Sequence, residues 1–552
     1  MGFKPSHLYA APAVNPVTLK AQSIPFLNPI DPYGRVFFFS WFGFMIAFWA
    51  WYTFPPLLTH TIKNDLHLSS EQVANSNIIS LCATLLVRLV SGPLCDRYGP
   101  RKLFGGLLLA GSVPLGLAPL VRNATGLYLS RFFIGLIGGV FVPSQVWCMA
   151  FFDDNVVGTA NGIAGGWGVA GGGVTYLIMP AVYDGLVSGG HSPSQAWRLT
   201  FLVPLAMVIT TAVALLLLCP DAPTGKWSDR HIRVQDVITT ESGSETDQTI
   251  VVDGPGGIKA QPILGPLPPK QTLLAAANIN AGSRSDLSNT LSPLGATTAT
   301  PIPTEKESRP PSPARPQPRF TTTDTHPRAN LLSLQTAFHM LCYGCTFGSE
   351  LAINAVLSSY YAATFPSLSQ TTASNYAAMF GFLDFVARPL GGIVSDLLYR
   401  FASRSKHRKL ADPDSALWFK KGWVTLCTLG AGAMLVIVGR LYDGPSSGNS
   451  EGGAVALIAL AAVFMQASSG ANFSLLPHVP DPLKVGALAG LTGASGNLGG
   501  VIFAIVFRFM DGGEGYAKGF WVIGLVNLAV AVGAGWIPPL PSPKRVKDGA
   551  TK

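Results

Sequence analysis

The chain is short of charge: Asp, Glu, Lys and Arg make up 12% of its 552 residues, about half the roughly 25% of an average soluble domain. That deficit argues against three or four water-soluble domains, which length alone would suggest. Cysteines are few and do not cluster. Cys82, Cys95, Cys148, Cys219, Cys342, Cys345 and Cys427 all fall within or at the ends of apolar runs, where they act as small apolar residues. Cys342 and Cys345 form a C-x-x-C without a second pair, which argues against a zinc or redox centre. No nucleophile–base pair, metal cluster or phosphate-cradling loop stands out, so the chain is not expected to be an enzyme or to carry a cofactor or metal. The first apolar run follows a 35-residue polar arm, so no cleavable signal peptide is expected.

What is abundant is apolar length and glycine. The chain is 48% hydrophobic and holds 60 glycines. A bilayer span needs about 20 consecutive apolar residues. Twelve candidates fall at 36–59, 71–94, 103–121, 126–151, 157–182, 198–219, 331–358, 371–398, 417–440, 453–476, 483–509 and 518–538. The expected fold is an all-α membrane protein of twelve transmembrane helices in two pseudo-symmetric six-helix halves. Its parts are an N-terminal arm (1–35), a six-helix bundle (36–219), a linker (220–330), a second bundle (331–538) and a tail (539–552). The linker is rich in Pro, Ser, Thr and Gly without hydrophobic periodicity, so disorder is expected there.

Basic residues set the orientation. Placing both termini in the cytoplasm puts most of the 38 lysines and arginines on that side. The net charge of +9 is then a topology signal, and the partner it implies is a lipid bilayer rather than nucleic acid. The sequon Asn123-Ala-Thr125 falls on an outside loop, where glycosylation is possible.

The two halves repeat each other. Arg88-x3-Gly92-x3-Asp96 recurs as Arg388-x3-Gly392-x3-Asp396, 300 residues on. Gly158, Gly162, Gly165, Gly168, Gly171 and Gly172 recur as Gly486, Gly490, Gly493, Gly496, Gly499 and Gly500, each 328 residues on. One glycine match means little, but six at one offset, in the fifth span of each half, mark an internal duplication. Such glycines line a helix face and allow close backbone approach, either for static packing or for seams that rock.

Arg88 and Arg388 lie inside spans, where an arginine costs roughly 2.5–3.5 kcal/mol on insertion scales. Neither escapes by deprotonation, and facing one cavity they repel unless an anion lies between them. A small anion with coplanar oxygens suits the guanidinium fork. Arg88 has no carboxylate one turn away, whereas Arg388 has Asp384 at i−4, so a structural ion pair is the competing reading there. If transport is driven by protons, another group must titrate, and Glu350, Asp384 and His339 are the candidates; each also reads as a satisfied buried polar residue.

The stretch Gly92-Pro-Leu-Cys-Asp96-Arg97-Tyr-Gly99-Pro-Arg101-Lys102 resembles the loop signature of the major facilitator superfamily, a charge latch between helices. Arg131-Phe-Phe-Ile-Gly135 resembles its span 4 motif. Ala164-Gly-Gly-Trp-Gly-Val-Ala-Gly-Gly-Gly173 and Gly493-Ala-Ser-Gly-Asn497-Leu-Gly-Gly500 are similar to the paired glycine signatures of nitrate/nitrite porters, and the long central loop is similar to fungal members. The resemblance implies a substrate site of Arg88, Arg388, Tyr343, Phe347, Phe141 and Asn497, with the anion between the arginines and Tyr343 donating to it. It further implies gating and packing roles for Gly92, Asp96, Arg97, Arg101, Gly165, Gly168, Gly171, Gly172, Gly496, Gly499 and Gly500. One departure is Val169, where the family usually has asparagine. The expected function is proton-coupled import of nitrate, with nitrite as a further substrate, across the plasma membrane by rocker-type alternating access. No obligatory partner subunit is expected. A nitrate/nitrite exchanger, a carrier of another small anion and a non-transporting nitrate sensor are the alternatives.

Overall fold

Helix starts follow from local capping chemistry. Asp31 accepts from the backbone N–H of Tyr33 and Gly34, with Pro32 at the first helical position, and so opens α1 (Pro32–Trp51). Ser69 and Gln72 form a reciprocal capping box that opens α2 (Ser70–Tyr98), satisfying donors the helix itself leaves free. The computed structural model describes residues 5–15, 18–229, 248–253, 257–262, 333–368, 370–403, 413–442, 450–478, 485–510 and 516–539.

Within those residues the chain continues through α3 (Pro100–Leu117) and α4 (Ala124–Phe151). Next come α5, in two pieces (Val157–Val169 and Gly171–Ser188), and α6 (Pro193–Leu218). The second half repeats the pattern. It has α7 (Leu334–Thr364), α8 in two pieces (Gln370–Phe382 and Asp384–Ser403), α9 (Pro413–Leu441), α10 (Glu451–Leu475), α11 (Val485–Phe509) and α12 (Tyr516–Gly535). Eleven of the twelve are long and apolar enough to cross a membrane; α5 is the remaining one, divided by its glycine-rich break. Helices suit that solvent because each satisfies its backbone polar groups internally. The twelve-helix, two-half expectation holds.

The repeat has a spatial meaning that the numbering alone does not give. Gly92 on α2 packs against α11, where a Cβ would come 2.7 Å from the Gly486 carbonyl oxygen. Gly392 on α8 packs against α5, where a Cβ would collide with the Gly158 carbonyl. Each half therefore meets the other through two glycine seams, and each seam joins one motif of the duplication to the other. Beside each seam an aspartate caps the partner helix. Asp96 accepts from the N–H of Gly486 and Ala487, both at 2.8 Å. Asp396 accepts from the N–H of Thr159 at 2.6 Å and from its hydroxyl at 2.8 Å. A carboxylate at a helix N-terminus is favoured by the orphan N–H groups and the helix dipole.

The arm and the start of the linker are ordered at this same end of the bundle. Ala21 donates to the Phe151 carbonyl at 2.8 Å and accepts from Asp153 at 2.9 Å. Arg101 pairs with Asp221 at 3.3 Å and donates to the Cys219 carbonyl at 2.8 Å. Trp227 donates to the Asp96 carbonyl at 2.8 Å and covers Gly99, whose φ of +90° is a conformation that favours glycine. So the first residues of the segment read as a disordered linker are folded onto the bundle. Further on, β1 (Gln248–Asp253) and β2 (Gly257–Pro262) form an antiparallel hairpin. Most of 230–332 and of the tail lies outside the described residues.

Candidate functional site

At mid-bundle, α2 places Arg88 against α4 and α11. The side chain is buried. Its Nε donates to the Gly138 carbonyl at 3.1 Å and its Nη1 to the Gly493 carbonyl at 3.0 Å. Those carbonyls are within reach because glycines let the helices close in: a Cβ at Gly138 would strike Thr84, and one at Gly493 would sit 3.1 Å from the Phe141 ring. Among the described residues no carboxylate is ion-paired to Arg88, as the spacing anticipated. The guanidinium instead lies 4.6 Å from the Phe141 ring and 5.6 Å from the Phe347 ring, favourable but weaker contacts.

Arg388, on α8, is placed differently. Its Nη2 donates to Glu350 at 2.9 Å and its Nε lies 3.3 Å from Asp384. The i−4 pair with Asp384 was legible; the Glu350 partner, from α7, was not. The Phe347 ring, 5.2 Å from the Arg388 guanidinium, stands within cation–π range of both arginines. The competing reading of Arg388 as part of a structural ion pair is thus met by the geometry, and of the two arginines Arg88 is the one without a carboxylate.

Around them three aromatic side chains assemble. Tyr343 stacks on Phe347 with ring centres 5.1 Å apart and lies 6.1 Å from Phe141. Its hydroxyl is buried without a hydrogen-bond partner, an orphaned donor of the kind native interiors avoid unless it serves a purpose. Gly496 makes room here, because a Cβ would press on both Tyr343 and Phe347. Asn497 donates to the same Gly493 carbonyl as Arg88, at 3.1 Å, and its Oδ1 has no partner. Gly165 faces the Arg388 side chain, Gly168 faces Phe44, Gly171 meets the Met45 backbone, Gly172 faces Tyr52, Gly499 meets the Gly344 backbone and Gly500 faces Leu351.

Three expected residues fall elsewhere. His339 hydrogen-bonds Asn472 at 2.5 Å, a turn before Tyr343, and makes no recorded contact with either arginine. Arg97 is exposed over the Tyr98 ring, while Asp96 caps α11 and Arg101 holds the linker start. Val169 is half-buried against the apolar core of the first half. Two further residues belong to the site. Phe473 packs edge-on to Phe141 at 4.9 Å and to Tyr343 at 5.1 Å. Gln145, one turn after Phe141, is buried with its Nε2 unpartnered. A polar side chain four residues from a site aromatic on one helix was the available signal for Gln145; Phe473 carried none.

The Major Facilitator Superfamily model matches residues 40–320. The chain belongs to the major facilitator superfamily. It is therefore a multi-pass membrane transporter and not an enzyme, and within the superfamily it is similar to nitrate and nitrate/nitrite transporters. It is 27% identical to high affinity nitrate transporter 2.5 of Arabidopsis thaliana over 93% of this chain and 81% of that one. It is 28% identical to the nitrate/nitrite transporter NrtP of Nostoc punctiforme over 86% and 87%. It is also 30% identical to elsinochrome transporter 1 of Elsinoe fawcettii over 97% and 99%. Among solved structures, the transporter resembles the proton:xylose symporter XylE at 13% identity, with a TM-score of 0.54 over 90% of this chain and 94% of that one. That likeness concerns the fold.

Proposed function

We propose that this transporter imports nitrate, with nitrite as a further substrate, by proton symport through alternating access, in the plasma membrane with both termini cytoplasmic and without an obligatory partner subunit. The observation that carries the reading is the asymmetry between two buried arginines. Arg388 is held by two carboxylates, while Arg88, beside aromatic rings and the orphaned Tyr343 hydroxyl, has none. Arg88 is the primary ligand, Tyr343 donates to an anion oxygen, and Phe141, Phe347 and Phe473 exclude water.

Coupling follows from charge. Ionised, Arg88, Arg388, Glu350 and Asp384 sum to zero. An arriving anion makes the cluster negative, and uncompensated charge at membrane depth is costly. A proton on Glu350 or Asp384 restores neutrality and frees part of the Arg388 guanidinium to join the anion. Anion and proton then cross together while the glycine seams and aspartate caps break at one end and the other end closes.

A second reading has one observation behind it. A relative that aligns over nearly its whole length and this chain's is named an elsinochrome transporter, so elsinochrome is the alternative cargo. Uptake of labelled nitrate into proteoliposomes, with and without an inward proton gradient and with elsinochrome as competitor, decides. Gradient-stimulated nitrate uptake lost in Arg88→Ala supports the proposal. Uptake that ignores the gradient but needs internal nitrite makes the protein an exchanger. Binding without movement makes it a sensor, and transport of elsinochrome without transport of nitrate shifts the cargo.

A further inference from the structure

A third arginine lies within a membrane span. Arg131, on α4, is 5% exposed, and its Nη2 donates to Asn77 Oδ1 on α2. Its Nε and Nη1 have no hydrogen-bond partner, and among the described residues no carboxylate is ion-paired to it. The Phe54 ring is 5.9 Å from the guanidinium. A permanently charged fork buried with two donors unused is costly to keep, more so than the Tyr343 hydroxyl.

Its place in the fold gives those donors a use. Arg131 lies seven residues before Gly138, whose carbonyl holds Arg88; two helical turns put it about 10 Å along the same helix pair. The direction is away from the Asp96 and Asp396 caps, toward the end that the basic residues assign to the outside. Tyr52 is near enough to Arg131, Arg88, Glu350 and Asp384 to interact electrostatically with all four. Its ring lies against Gly172 of the α5 glycine signature, and Tyr176 of α5 is also close to Arg131.

We infer that Arg131 is an outer binding station for the transported small oxyanion, which lodges on the guanidinium donors that Asn77 leaves free before passing to Arg88. This deepens the anion-transport reading and rests on it. The two edges on which a guanidinium presents parallel donors to a planar anion are Nε with Nη2 and Nη1 with Nη2, and each includes a nitrogen that Asn77 leaves unpartnered. Two cationic stations in line raise the local anion concentration at the mouth of the site.

The test uses the full chain in proteoliposomes and nitrate as probe. Arg131→Gln is expected to raise the KM for external nitrate at least tenfold while the maximal rate falls less than threefold. Arg131→Lys, which keeps the charge but loses the fork, should fall between the two. A second measurement does not depend on turnover: nitrate should still raise the unfolding temperature of Arg88→Ala weakly at high concentration, and Arg88→Ala/Arg131→Gln should lose that response. An unchanged KM, a maximal rate that collapses with KM constant, a lysine variant no better than glutamine, or equal nitrate responses in the single and double variants would each overturn the outer station. Wild-type protein that neither moves nor binds nitrate would instead remove the anion reading beneath it.

Discussion

Glu350 Oε2 lies 2.9 Å from Nη2 of Arg388, joining α7 to α8 across 38 residues of sequence at a depth where neither charge is affordable alone. With Asp384 on the same guanidinium, the group holds one negative charge in excess, which is the proton's place under the proposed symport.

Glu350→Gln is therefore expected to uncouple the transporter without dismantling it. Arg388 keeps Asp384, so the fold survives, but the second carboxyl is gone. Gradient-driven nitrate accumulation should drop at least tenfold, while exchange of labelled for unlabelled nitrate at equal pH continues. Accumulation that still follows the gradient would assign the proton elsewhere.

Arg388→Ala should behave in the opposite manner. It leaves two buried carboxylates facing each other, and breaking a buried pair by removing one partner costs about 3–5 kcal/mol. A marked loss of unfolding temperature in detergent is expected at pH 7. Adding Glu350→Gln to it should recover part of the loss, since that removes one of the stranded charges.

Tyr343→Phe removes a hydroxyl that has no partner in the fold. Stability should hold or rise slightly, because a buried donor that forms no bond carries its desolvation cost of about 1–3 kcal/mol without return. Nitrate KM should rise several-fold. Loss of stability with KM unchanged would mean that the hydroxyl serves packing instead.

How much of this was readable differs between the fold and the site. The spans, the two halves and the paired glycine motifs follow from hydropathy and numbering, since lipid demands long apolar helices and a duplication leaves fixed offsets. The diagonal pairing, Gly92 on Gly486 and Gly392 on Gly158, needed the third dimension. So did the Glu350–Arg388 pair, which has no helical spacing to announce it. Arg131 was visible as a motif, but its lack of a carboxylate partner is a property of its neighbours on α1, α2 and α5. The linker was read from composition alone, and composition does not reveal that Trp227 and Asp221 anchor its first residues to the bundle.

The glycine seam supplies a steric prediction. A Cβ at Gly392 would meet the Gly158 carbonyl of the facing helix, and a backbone cannot swing aside as a side chain can. Gly392→Ala should hold the two halves apart at the capped end and reduce nitrate uptake by an order of magnitude or more. Nitrate should still protect the variant against thermal unfolding, because the arginine site lies further along the bundle. Full uptake by the variant would show that the seam is not closed during the cycle.

At the opposite end Asp65 provides a test of the fold outside the membrane. It accepts from the indole N–H of Trp197 at 3.0 Å and pairs with Arg198 at 2.9 Å, pinning the turn after α1 to the start of α6. Burial pushes its carboxyl up, but these hydrogen bonds outweigh that and hold it below the ordinary carboxylate range. A carboxylate depressed in the folded state stabilises above its unfolded pKa, about 3.9, and loses that contribution as pH falls through the folded value. The difference in unfolding temperature between wild type and Asp65→Asn should be constant from pH 7 to pH 5 and shrink below about pH 4. A difference that persists unchanged at pH 3 would mean that the residue acts through hydrogen-bond geometry alone and not through its charge.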